Sequence, residues 1–80
     1  MSRRDDRLCR VVADVLGEDA TTIGDDSSPE TTANWDSLNH LNIVLALESE
    51  FQIELPIEGV LQARSVGDLR ALLRKQGAEV

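Results

Sequence analysis

Eighty residues with 41% hydrophobic content can build one modest core, but they leave no room for a deep, multi-part active site. A net charge of −7, from 15 acidic against 8 basic residues, would repel phosphate backbones and anionic lipid heads. That excludes nucleic acid and membrane surfaces as expected partners and points to partners with basic docking surfaces.

The N-terminus, Met1-Ser2-Arg3-Arg4-Asp5-Asp6, is basic and then acidic, with no apolar run of signal-peptide length behind it. No later stretch approaches the roughly 18 apolar residues of a membrane span, so a cytoplasmic protein is expected. Leu8, Val11, Val12, Val15 and Leu16 then recur at helical spacing, one stripe of a first helix that Gly17 stops. Cys9 falls in this helix as a small apolar residue; being the only cysteine, it rules out an internal disulfide and a multi-cysteine metal site. Residues 18–35 are rich in Asp, Thr, Ser, Gly and Pro without apolar periodicity, which reads as a long surface loop with room for one short helical turn. Loops of that length in small domains are often functional.

A second helix opens at Asp36 or Ser37 and runs to about Phe51, its face marked by Leu38, Leu41, Val44, Leu45 and Phe51 and widened by Ile43 and Leu47. Pro56 suits the first turn of a short third helix from Ile57 to Leu61, although Gly59 counts against it. Ser65 and Asp68 have the spacing of a capping box and open a fourth helix carrying Val66, Leu69, Leu72 and Leu73, which Lys75 and Gly77 close. With no Tyr, one Phe and one Trp, an aliphatic helical core is the natural outcome. Four amphipathic segments can bury their stripes only against one another. The expected fold is therefore all-α: a small four-helix bundle over residues 1–80, with three longer helices, a short third one, and a long loop between the first and second.

Catalytic constellations are missing. The sole histidine, His40, falls one turn after Asp36 as a partly exposed helix residue, and there is neither a glycine-rich phosphate loop nor a histidine pair at metal-binding spacing. From Asp25 to Asp36 the chain matches an EF-hand register at positions one, three, seven and twelve. Glu30 stands where that loop needs glycine, however, and Asp36 replaces the bidentate glutamate, so no metal is expected.

One feature remains, Trp35-Asp36-Ser37-Leu38, a serine where the long loop meets an amphipathic helix. In isolation this is helix capping by Asp36 or Ser37, with Trp35 as a staple over the helix start. In context, Asp36-Ser37-Leu38 followed by Leu41, Val44, Ala46-Leu47-Glu48-Ser49-Glu50-Phe51 and Glu54-Leu55-Pro56 resembles the acyl carrier protein family, and Val66 and Leu69 fall where that family's last helix begins. The resemblance covers nearly the whole chain.

It implies that Ser37 accepts a 4'-phosphopantetheine arm from coenzyme A through a magnesium-dependent phosphopantetheinyl transferase, with Asp36 flanking the site for transferase recognition. Acyl groups then ride on the arm's thiol as thioesters and are presented to acyl-loading and acyl-processing enzymes. A phosphodiester at a helix N-terminus would meet free N–H groups and the positive end of the macrodipole. By resemblance the second helix is the recognition element, with Leu38, Asn39, Leu41, Asn42 and Glu48 as docking contacts; Leu38 is equally suited to core packing.

Two departures bear on the partner: acidic residues common two and five positions after the serine are here Asn39 and Asn42. Their neutrality weakens steering towards strongly basic docking surfaces and favours a dedicated polyketide or specialised-lipid pathway over a general fatty acid synthase. Asn34-Trp35-Asp36 lacks the glycine-rich lead of peptidyl carriers, which favours an acyl over an aminoacyl cargo, although stand-alone carriers of D-alanine also place Asp before the serine. The other alternative is a non-prosthetic, acidic interaction module. A discrete monomer is expected.

Overall fold

The computed structural model describes residues 6–78 and 80. Four helices form, α1 (Arg7–Leu16), α2 (Ser37–Phe51), α3 (Ile57–Gln62) and α4 (Val66–Lys75), with one 3-10 turn at Ala20–Thr22 and no strand among the described residues. This is the all-helical bundle that the periodicity called for. Around its axis lie Leu8, Val12, Ile43, Leu47, Val66, Leu69 and Leu73, all fully buried. Each such side chain contributes roughly 1.5–3 kcal/mol relative to leaving it in water.

α1 begins because the Asp6 carboxylate accepts the Cys9 N–H at 3.2 Å, and it ends because Gly17, at φ 71°, turns left-handed and returns its N–H to the Ala13 carbonyl. Its stripe faces the core through Leu8, Cys9, Val12, Ala13 and Leu16, with Val11 and Val15 half-buried at the margin. Cys9 is thus packed as the small apolar residue it was expected to be.

The expected face of α2 needs correction. Ile43, Val44 and Leu47 are buried, whereas Leu38, Leu41 and Leu45 are 68%, 46% and 62% exposed. The reason lies in composition: apolar residues run without a break from Ile43 to Leu47, so the helix has no single stripe, and contact with α1 selects the side turned inward. At its end Gln52 adopts φ 55°, and the Glu48 carboxylate reaches past the stop to accept the Leu55 N–H at 2.8 Å.

Pro56 caps α3 from outside instead of occupying its first turn, and the helix continues one residue further than expected, to Gln62. Gly59 faces α4 closely: a Cβ there would stand 2.6 Å from Leu72 Cδ1, so a larger residue requires that leucine side chain to shift. The capping pair of α4 is also displaced. Ser65 Oγ accepts the Asp68 N–H at 3.1 Å, but Asp68 accepts the N–H of Arg64, one residue before the cap, at 2.9 Å.

The long loop is pinned along its length. The carbonyls of Ser27 and Asp25 accept the first N–H groups of α4, from Val66 at 3.0 Å and Gly67 at 2.8 Å, and buried Ser27 takes the Gly24 N–H on its hydroxyl. Arg70 of α4 completes the clamp, donating to Asp6 at 2.6 Å and to Asp25 at 2.8 Å. Loop, α1 and α4 are thereby joined ahead of the segment that leads into α2.

Candidate functional site

Ser37 is the first residue of α2 and is exposed. Asp36, with extended backbone, is the cap, accepting the Asn39 N–H at 2.9 Å. Which of the two capped the helix was open from sequence; the geometry gives the task to Asp36 and leaves the Ser37 hydroxyl free. The N–H groups of Ser37 and Leu38 precede the helix's own ladder and find no carbonyl within it.

A chain of amides fixes the approach to Ser37. Asn34, left-handed at φ 70°, donates its side-chain N–H to the Leu16 carbonyl at 3.2 Å, closing the end of α1. Its own carbonyl accepts from Asn39 Nδ2 at 2.7 Å, and Asn42 Nδ2 donates to Asn39 Oδ1 at 3.1 Å. A carboxylate at position 39 could not donate to that carbonyl, so the first departure from the acidic pattern has a local structural use.

Trp35 is 4% exposed and stacks on His40, ring centroids 6.1 Å apart. The pair occupies the positions just before the cap and one turn inside, the geometry of the expected staple. The indole N–H donates to His40 Nδ1 at 3.1 Å, so the imidazole carries its proton on Nε2 and donates it to the Val60 carbonyl at 3.0 Å. Sequence reading treated His40 as a bystander; it ties α2 to α3. The spacing between the only Trp and the only His was the signal that could have shown this.

An open cleft of about 470 Å³ adjoins Ser37, bounded by Trp35, His40, Leu41, Leu61 and Ala63. Of the proposed docking residues, Leu38 and Leu41 project into solvent, Asn39 and Asn42 are bonded to each other, and Glu48 is half-buried with its carboxylate on the Leu55 N–H. The reading of Leu38 as a core residue is set aside by its exposure. Among the described residues none is bonded to the hydroxyl: Asp36 Oδ1 takes the Asn39 N–H and both His40 ring nitrogens have other partners. The one thiol is no substitute: burial, with Asp6 beside it, pushes Cys9 up to about 11.

A family model described as "Phosphopantetheine attachment site" matches residues 6–73. The chain belongs to the acyl carrier protein family. An acyl carrier protein of Clostridium acetobutylicum is 44% identical over 59 residues, covering 74% of this chain and 77% of that protein. The solution structure of holo acyl carrier protein from Geobacter metallireducens superposes with a TM-score of 0.79 at 28% identity, covering 89% of this chain and 82% of the other. Acyl carrier proteins bear phosphopantetheine and are carriers, not catalysts, which accounts for a helix start offering an accessible nucleophile with no base beside it. No helix among the described residues is long and apolar enough to cross a membrane.

Proposed function

We propose that Ser37 is the residue to which phosphopantetheine is attached, and that the chain, as a single domain over residues 1–80, carries acyl intermediates in the cytoplasm as a monomer. The observation that carries this reading is the division of labour at the start of α2: Asp36 caps the helix, and the neighbouring Ser37 hydroxyl is exposed and uncommitted. The arm comes from coenzyme A. In the transfer the Ser37 oxygen attacks the pyrophosphate phosphorus that bears the pantetheine, the P–O bond to the nucleotide breaks, and adenosine 3',5'-bisphosphate leaves. A magnesium-dependent transferase supplies the base that takes the serine proton, in keeping with the lack of one here.

The residues present fit such a group. The N–H groups of Ser37 and Leu38, at the positive end of the α2 macrodipole, stabilise a phosphodiester on Ser37 Oγ. Trp35, His40, Leu41 and Leu61 offer the adjoining cleft to whatever lies along the surface. When bound, the group supplies a terminal thiol that holds an acyl chain as a thioester. Tethering raises the effective concentration of that acyl group at each partner's active site, so the bundle itself needs only weak, transient contacts. The partners are acyl-loading and acyl-processing enzymes of a dedicated polyketide or specialised-lipid pathway, a reading supported by the neutral Asn39 and Asn42.

The test is an intact mass. Purified protein and its Ser37→Ala variant are incubated with coenzyme A, magnesium and a broad-specificity phosphopantetheinyl transferase. The wild type is expected to gain one phosphopantetheine and the variant none. Folded wild type that gains nothing, both here and with its own host's transferase, would leave an acidic interaction module as the better description.

A further inference from the structure

Among the described residues, the five exposed large hydrophobic side chains all lie on α2 and α3. Leu38, Leu41 and Leu45 form a strip along α2, Ile57 and Leu61 a strip one turn long on α3, and Leu41 and Leu61 meet across the cleft beside Ser37. The centre of this face carries little charge. In a chain of net charge −7, the eleven residues from Ser37 to Leu47 contain no Asp, Glu, Lys or Arg, and their one titratable side chain, His40, has both ring nitrogens bonded. The charges lie at its margins: Asp36, the exposed cap of α2 at the end of the cleft, accepts the Asn39 N–H, Glu48 accepts the Leu55 N–H, and α3 adds the exposed Glu58 at its first turn. The remaining acids lie chiefly in the loop and on the far elements.

We infer that this α2–α3 face docks an enzyme whose contact surface is itself apolar and uncharged at its centre, in place of the basic surface that the net charge alone suggests. The inference rests on the carrier reading, because it takes the occupant to be an enzyme acting at Ser37 or its arm. Charge complementarity selects the occupant: the one carboxylate lining the cleft, Asp36, already accepts the Asn39 N–H, so a lysine or arginine pressed onto Leu41 and Leu61 would be desolvated for a shared acceptor at the cleft's end, a cost that leucine or valine on the partner avoids. The free amide surface of Asn42 offers register without charge. Attraction by the acidic loop still guides distant approach, but it is screened at ordinary ionic strength and makes no contact at the centre.

The probe is the broad-specificity phosphopantetheinyl transferase, assayed for kcat/KM with the carrier as varied substrate. Between about 50 and 400 mM NaCl the wild type is expected to change less than about threefold, whereas a dock held by several ion pairs loses on the order of tenfold or more. Leu41→Asn combined with Leu61→Gln is expected to raise KM about tenfold with kcat little altered, the loss of a buried apolar contact. Both positions are exposed, so the variant folds, and an unchanged thermal midpoint verifies it. Asp26→Asn, in the exposed loop, is expected to change neither constant.

Steep salt dependence, an unaltered KM in the double variant, or faster modification of Asn42→Glu would each overturn the inference. So would sedimentation showing a wild-type dimer that the double variant abolishes, since a second copy would then be the occupant. Modification that proceeds with steep salt dependence overturns only this docking. No modification at all, in folded protein with an active transferase, sinks the carrier reading and this one with it.

Discussion

Asp36 takes the Asn39 N–H, so Ser37 is spared from capping, and the two positions separate cleanly by experiment. Ser37→Ala is expected to leave the urea midpoint essentially unchanged while abolishing modification, whereas Asp36→Ala costs about 1 kcal/mol through the lost cap. His40 is the other residue whose importance lies in its bonds. Replacing it with Leu strands the buried indole N–H of Trp35 and leaves the Val60 carbonyl only the Ala63 N–H, at a cost of roughly 1–3 kcal/mol, read as a lowered urea midpoint by tryptophan fluorescence. Of the candidate site, Asp36 and Ser37 were legible because the motif is local. The His40 bridge was not, since its second partner lies twenty residues away on another helix.

The helices owe their ends to a few backbone positions that can be tested in isolation. Gly17 is left-handed with open space around it, so Gly17→Ala introduces backbone strain without a clash and is expected to destabilise by about 1 kcal/mol. Gln52 sits at φ 55° after α2, and Gln52→Gly is expected to stabilise by about 0.5–1 kcal/mol in the same urea titration. Opposite signs at two helix ends separate backbone conformation from packing. Glycine's signature made the first stop readable; Gln52 carries none, and its turn is held by the Glu48 carbonyl, which accepts the N–H groups of Gln52 and Ile53, and by the Glu48 carboxylate.

At the scale of the molecule, Arg70 binds the start of α1 to the long loop, and this junction gives stability a pH dependence. Burial alone would raise the Asp6 carboxyl, but its bonds to Arg70 and to the Cys9 N–H outweigh that and hold it below its ordinary 3.8. A carboxyl depressed by folding lends stability that is complete above the unfolded value and is lost as pH falls through the lower folded one. Wild type is therefore expected to lose more stability than Asp6→Asn between about pH 5 and pH 2, so that the deficit of the variant at pH 7 narrows in acid, measured by urea titration at each pH. Arg70 remains charged throughout, its two carboxylate partners outweighing its own partial burial.

The sequence by itself determined the number and order of the helices, the Gly17 stop of α1, the Ser65 cap of α4, the long loop and the serine at its end. These depend on periodicity of a few residues and on side chains that bond to their own turn. Tertiary structure decided which side of α2 faces inward, because a helix apolar on most sides is oriented only by its neighbours. It also decided that a loop rich in acids is clamped by Arg70 and by the first N–H groups of α4, contacts made 45, 42 and 39 residues apart in the chain by Arg70 with Asp25, Gly67 with Asp25 and Val66 with Ser27. The same packing left Leu38, Leu41, Leu45, Ile57 and Leu61 in solvent. A leucine in a list of residues has no side; the surface beside Ser37 came into being when α1 had claimed the other one.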